Sequence, residues 1–172
     1  MHPIFASAGE TKAAVPILFV NAANFAETTR AFDAREEAFV RTAGFEPKPG
    51  RSLVVPAADG TLAAVLFGIE AADEPVKDLF RPGQLVSLLP PATYRFANAP
   101  HNARLAALSF ALGAYQFTRY RKGEPRNLRL VVPDSVDGED LSRIVDAVTL
   151  ARDLINTPSN DMGPDELEDA AR

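Results

Sequence analysis

The stretch RSLVVPAADGTLAAVLFG, residues 51–68, constrains the fold more tightly than any other part of the chain. Two apolar runs flank Asp59-Gly60, a dipeptide suited to the positive φ angles of a tight hairpin turn, so two antiparallel strands are expected there. Elsewhere the apolar runs do not alternate. VPILFV, residues 15–20, is apolar throughout and bounded by polar Asn21, and LRLVVP, residues 128–133, apolar but for Arg129, is read as another buried strand. Such runs predict strands buried on both faces. A short strand is predicted at Thr93–Phe96, after a segment from Glu74 to Pro91 that proline restricts to one or two helical turns.

Helices are expected between these strands. FDAREEAFVRTAGF, residues 32–45, places Phe32, Phe39, Val40 and Ala43 toward a core, with Arg35, Glu36 and Glu37 outward and Gly44 as the stop. NARLAALSFALGAYQF, residues 102–117, carries two apolar stripes: Leu105, Leu108, Leu112 and Tyr115, then Ala107, Phe110, Ala111, Ala114 and Phe117. A long helix from Gly138 to Ile155 also has two, with Leu141, Ile144, Val145, Val148 and Ile155 beside Ala147, Leu150, Ala151 and Leu154. An apolar arc that wide implies cover on two sides. The fold class that follows is α/β: a mixed β-sheet flanked by helices on both faces. At 172 residues one domain is expected, burying about 70% of its unfolded surface.

Several function classes fall away on composition. The net charge of −5 gives no support for a nucleic-acid or anionic-membrane partner. The basic run Arg119, Arg121, Lys122, Arg126 and Arg129 is read as a cationic helix end and its link to the next strand. With no cysteine there is no disulfide or thiolate metal site, which fits a reducing compartment. The N-terminus lacks the basic and continuous apolar regions of a signal peptide, and no run reaches the ~18 apolar residues of a membrane span, so a cytoplasmic location is expected.

Catalytic patterns are missing as well. The histidines are His2 and His101, no serine sits in a Gly-x-Ser-x-Gly elbow, and His101 is read as ending a loop before a helix. No His-Glu-x-x-His occurs, and Asp134, Asp137, Glu139 and Asp140 are read as carboxylates at a helix N-terminus rather than a calcium loop. The ten glycines are dispersed without Gly-x-Gly spacing, which argues against a phosphate cradle.

The densest segment is ARDLINTPSNDMGPDELEDAAR, residues 151–172. Asn156-Thr157-Pro158 stops a helix, because proline removes a donor and moves the preceding residue out of the α region. Ser159, Asn160 and Asp161 offer side chains to local backbone groups, and Gly163-Pro164-Asp165-Glu166 starts another helix. That helix is short, and its apolar positions Leu167, Ala170 and Ala171 call for a cover, so the chain reads as interrupted within an element.

This segment resembles the connector between the N-terminal and catalytic domains of the leucyl aminopeptidase, or cytosol aminopeptidase, family. The family form is Arg-Asp-Leu-x-Asn-x-Pro-x-Asn, a spacer, then Thr-Pro opening a helix. Arg152, Asp153, Leu154, Asn156, Pro158, Asn160 and Pro164 match it, with Gly163 in place of the commoner threonine. FALGAYQFTRYRK, LPPATYRF and the hairpin region give supporting likeness, so the resemblance extends along the chain.

What the resemblance implies is specific. Residues 1–160 are the non-catalytic N-terminal α/β domain, similar to a macro-type fold, and residues 161–172 begin the connecting helix to a C-terminal catalytic domain. The family removes N-terminal residues from peptides with two divalent metal ions, zinc or manganese, that activate a bridging water. Its metal-ligand signature Asn-Thr-Asp-Ala-Glu-Gly-Arg does not occur here, so no catalytic or metal residue is carried over and no cofactor is expected on this chain. The implied partners are the catalytic domain, peptide substrates of the whole enzyme and the other copies of a homo-hexamer. The alternative reading is a free-standing macro-like module that binds a nucleotide or another small molecule, or serves interaction alone.

Overall fold

A computed structural model describes residues 1–121, 123 and 126–172, with Ala8 and Ala171 described by their backbone alone. Lys122 of the basic run lies outside the described residues. Six strands form one sheet: β1 (Phe5–Ala6), β2 (Val15–Val20), β3 (Ser52–Pro56), β4 (Leu62–Gly68), β5 (Thr93–Phe96) and β6 (Arg129–Val131). Their spatial order is β1-β6-β5-β2-β4-β3, and every neighbouring pair is parallel except the antiparallel β3–β4 hairpin. The mixed α/β sheet expected from the sequence is therefore present.

The central strand β2 shows why its run is apolar throughout. Val15, Ile17 and Phe19 face one core together with Val65 and Phe67 of β4, whereas Leu18 and Val20 face a second core with Ala64 and Leu66. Strand residues alternate between faces, so a strand covered on both sides can spare no position for a polar side chain. The first core is closed by α3 (Leu85–Leu88), α4 (Ala103–Gly113) and α5 (Gly138–Asn156). The second is closed by α1 (Phe25–Thr28) and α2 (Ala34–Thr42) through Phe25 and Val40, with Phe32 from the link between them. At the far end of the sheet Ala6, Ala14 and Val131 form a third, small cluster beside the 3-10 turn Ala8–Ala13.

Local chemistry sets the element ends. Asp33 caps α2 by accepting from the N–H groups of Arg35 and Glu36, and Glu36 returns a bond to the Asp33 N–H. Gly44 then takes φ +58°, as the predicted stop requires. Phe39 and Ala43 do not join the core: Phe39 is 39% exposed and Ala43 is exposed, because the short helix α2 presses mainly Val40 onto the sheet. Asp137 caps α5 through the N–H groups of Glu139 and Asp140, so the acidic stretch is a helix start, as read.

The tight hairpin turn is present, but its dipeptide does not take positive φ at both residues. Only Gly60 adopts positive φ, +82°, while the Gly60 N–H bonds to the Ala57 carbonyl and the Ala57 N–H to that of Thr61. This is a three-residue loop with glycine at the left-handed position, and Asp59 folds back onto the Thr61 N–H and hydroxyl instead of taking positive φ.

Two helices also depart from expectation. α4 ends at Gly113 rather than continuing to Phe117, and residues Ala106 to Ala111 are all buried. Its second apolar face is covered within the domain by the 3-10 turn Arg81–Gln84 and by α5. A Cβ on Gly113 would lie 2.6 Å from the Gly83 carbonyl oxygen, which measures how closely turn and helix meet. α5 runs to Asn156, and Leu141 and Val145 are buried as expected, but Ile155 is 82% exposed. Its second stripe is open except at its end: Ala147 and Ala151 are exposed and Leu150 is 46% exposed, while Leu154 is half-buried. β1 was not anticipated: two residues carry no pattern, and only their pairing with Leu130 and Val131 makes them a strand.

Candidate functional site

Of the residues singled out in 151–172, Arg152, Asp153 and Asn156 meet the chain at and just after the end of α4, and Pro158, Asn160 and Pro164 do not. Arg152, Asp153 and Asn156 stand at i, i+1 and i+4 on α5, a spacing that gathers them on one turn of a helix. Arg152 donates Nη1–H to the Leu112 carbonyl at 2.8 Å. That carbonyl belongs to the last turn of α4, where carbonyls lack helical donors and the macrodipole favours a cation. The same guanidinium lies over the Tyr115 ring, 5.3 Å from its centroid. Asp153 Oδ1 accepts the Tyr115 hydroxyl proton at 2.7 Å, and Asn156 Nδ2 donates to that hydroxyl at 3.1 Å.

Tyr115 therefore uses its ring and both hydrogen-bonding capacities of its hydroxyl on one turn of α5. Desolvation and the Asp153 carboxylate both hold its phenol above the ordinary tyrosine range, because each disfavours a phenolate. A second row of contacts lies beside the first. The Tyr120 hydroxyl bonds to Asp161 Oδ2, which raises that phenol too, and Arg119 Nη1 reaches Thr157 Oγ1 at 3.4 Å.

The helix stop is built from backbone and side chain together. Thr157 is buried and sends both its N–H, at 3.0 Å, and its hydroxyl, at 2.7 Å, to the Asp153 carbonyl. Pro158 follows, and its carbonyl accepts the Asp161 N–H at 2.9 Å to turn the chain. α6 (Pro164–Ala171) opens with Pro164 at its first position. Gly163 has no side chain to cap the helix, but Glu166 Oε2 takes the Gly163 N–H at 2.9 Å, so half of a capping box survives. Pro158, Asn160 and Pro164 are exposed, and so is Leu167, at 51%.

A second polar cluster went unread in the sequence. Glu70, just past the carboxyl end of β4, is 5% exposed; its Oε1 accepts from Arg81 Nε at 2.9 Å and Nη2 at 2.6 Å. Its Oε2 faces His101 Nε2 across 3.6 Å. Burial works to raise the Glu70 carboxyl, yet its own N–H, Arg81 and the Asp78 N–H outweigh it and hold the group below the usual range. His101 thus packs into a buried polar cluster rather than merely ending a loop. Nearby, the Asn98 amide accepts from the Phe19 N–H and donates to the Phe19 carbonyl, both at 2.8 Å, and so extends the pairing edge of β2. Neither Glu70 nor Asn98 belongs to a periodic pattern; only the fold brings them to their partners.

The chemistry open to these groups is limited. Among the described residues no three His, Asp or Glu side chains converge as metal ligands, and Glu70 already carries a guanidinium. The residues present do not fit a metal pair. In open α/β sheets, ligands sit beyond the carboxyl ends of the strands. Here the cavity beside His101 and Asp78 measures about 10 Å³, the size of one water. A wider groove of about 820 Å³ lies by Ile4, Tyr115 and Arg129, but it opens at the amino ends of β1 and β6.

The comparisons with known proteins agree with the family that residues 151–172 resemble. The family described as M17 aminopeptidase, N-terminal domain, matches residues 15–133. A cytosol aminopeptidase from Coxiella burnetii superposes with a TM-score of 0.80 at 30% identity, covering 97% of this chain and 36% of that one. The bottromycin maturation enzyme BotP in complex with Mn gives a TM-score of 0.62 at 24% identity, covering 91% of this chain and 35% of that one. A leucyl aminopeptidase from Trypanosoma brucei gives 0.61 at 16% identity, covering 98% and 40%; these last two show the fold alone. No curated protein matches in sequence. The chain spans little more than a third of the Coxiella enzyme. With 119 of its 172 residues matched (15 through 133), it belongs to the M17 aminopeptidase family and carries that family's N-terminal domain.

Proposed function

We propose that this chain is the non-catalytic N-terminal segment of a leucyl aminopeptidase-like metallo-exopeptidase, serving assembly and access to an active site carried by a separate C-terminal domain. The observation that carries the reading is the 30% identity to a cytosol aminopeptidase across 97% of this chain but 36% of that one. In this reading residues 1–160 are the domain and residues 161–172 begin the connection. The two divalent metals, zinc or manganese, and the peptide substrates belong to the catalytic domain. The whole enzyme is a cytoplasmic homo-hexamer. The name of the Coxiella relative supports the location, and the Mn in the BotP complex supports the metal class.

The open stripe of α5 gives the reading a surface. Leu150 is 46% exposed, Ile155 82% and Leu167 of α6 51%, and exposed apolar side chains of this size suit a packed neighbour. The catalytic domain is the occupant assigned to it. Purified chain is expected to show no hydrolysis of leucine p-nitroanilide with added zinc or manganese; metal-dependent turnover refutes the reading. The alternative, a nucleotide-binding module, draws no support from a carboxyl-end cavity of about 10 Å³.

A further inference from the structure

We propose that Tyr115 is a positioning residue: with Arg152, Asp153 and Asn156 it forms a clasp that fixes the direction in which the chain leaves the domain. A connector between domains is commonly a flexible polar stretch whose backbone is free. Here residues 157–163 are anchored instead. Thr157 is buried against the end of α5, Pro158 and Asp161 close a turn, and Asp161 accepts from the Tyr120 hydroxyl of a segment distant in sequence.

The anchor is built from parts far apart in sequence. Tyr115 and Asp153 are separated by 38 residues, and Tyr120 and Asp161 by 41. Local geometry cannot produce either contact: the first reports the packing of Tyr115 against α5, the second that of Tyr120 against the turn after it. Arg152 adds a third tie by completing the last turn of α4. Removing the tyrosine hydroxyl leaves Asp153 and Asn156 without their shared partner while the ring still fills its place. Its effect should fall on α6 more than on the core, whose buried residues lie in the sheet, in α3, in the inner face of α4 and in the first half of α5, while the Tyr115 hydroxyl itself meets only the last turn of α5.

The clasp gives the Arg-Asp-x-x-Asn spacing a physical role that depends on one helical turn. It deepens the reading of a connector and rests on a second domain following α6, but its test does not involve that domain. The chain has no cysteine, so two introduced ones can carry spin labels without competition. Arg35→Cys on α2 and Asp169→Cys on α6 are both exposed. Double electron–electron resonance on the full chain should give one narrow distance distribution. Tyr115→Phe should broaden it about twofold while the urea midpoint of the core stays in place. Asp153→Ala, removing the acceptor, should broaden it equally, and the double variant should be no broader than either single one. A distribution already broad in the parent chain overturns the proposal, as does an unchanged width in Tyr115→Phe. So does broadening that appears only with a matching loss of core stability. Each of these results leaves the family assignment intact, since that rests on residues 15–133.

Discussion

Glu70 and Arg81 form a two-bond ion pair at 2.9 and 2.6 Å, with the Glu70 side chain 6% and the Arg81 side chain 22% exposed. The pair ties the segment leaving β4 to the 3-10 turn Arg81–Gln84, which in turn supports α4. Loss of one partner strands the other. Glu70→Gln is expected to destabilise the chain by about 3 kcal/mol in urea denaturation. Arg81→Lys should recover only part of the bond, since an ammonium cannot match the fork of a guanidinium.

The same pair fixes a pH dependence. The Glu70 carboxyl ionises below its ordinary value of 4.5 in the folded chain, so the native state favours the carboxylate. Its contribution is complete above the unfolded value and is lost as pH falls through the lowered folded one. The stability gap between the parent chain and Glu70→Gln should therefore be widest near neutrality and shrink on acidification. A gap that stays constant down to pH ~3 would contradict the assignment.

The tyrosines offer a reading at the opposite end of the scale. The chain has three tyrosines and no tryptophan, so phenolate absorbance near 295 nm reports Tyr94, Tyr115 and Tyr120 alone. All three are raised from the ordinary 10.0: Tyr94 by burial, to about 12, Tyr115 by desolvation and then Asp153, and Tyr120 by its bond to Asp161. Groups whose folded value is raised stabilise the fold below the unfolded value and cease to do so as pH climbs through the folded one. The native chain should show less phenolate at pH 10 than the urea-unfolded chain, which should be half titrated there.

Gly68 has no room for a side chain. A Cβ there would stand 1.9 Å from the Lys48 carbonyl oxygen, and the Gly68 N–H and carbonyl already bond to Arg51 and Gly50. Gly68→Ala must displace backbone rather than a mobile side chain, so a loss of about 3 kcal/mol or a failure to fold is expected. Expression and urea denaturation of this variant test it. Gly60→Ala, with open space around it, should cost about 1 kcal/mol from its positive φ alone.

Asn98 stands in for a strand residue. Its amide satisfies both the N–H and the carbonyl of Phe19, so Asn98→Asp keeps the acceptor, removes the donor and sets a carboxylate near that carbonyl. A loss of about 2 kcal/mol is expected by thermal or urea denaturation. Asn98→Gln should not rescue it, because the longer arm displaces the amide from the strand edge.

The open face of α5 behaves in the opposite way. Ile155→Lys, at a position 82% exposed, should change the stability of this chain by less than about 0.5 kcal/mol. If the catalytic domain covers that face, the same change in a whole enzyme should weaken the association of its domains. A large loss in the isolated chain would show instead that Ile155 is packed within it.

Residues 15–20 determined by themselves that the chain would build a buried strand, because an unbroken apolar run has no solvent-facing alternative. The pairing of residues 52–56 with 62–68 was equally local, set by Gly60 between two apolar runs. The stop at Pro158 and the restart at Pro164 followed from backbone rules that act within a few residues. Tertiary structure decided the rest. β1 exists only because β6 lies beside it, and α4 ends at Gly113 with Arg152 on its Leu112 carbonyl and Gly83 against its last turn. The hydroxyl of Tyr115, like the carboxylate of Glu70, found its partner 38 and 11 residues away respectively. Propensity and periodicity describe what a segment does with its neighbours in sequence. Which polar group meets which across the fold depends on how the elements pack, and no local pattern encodes that.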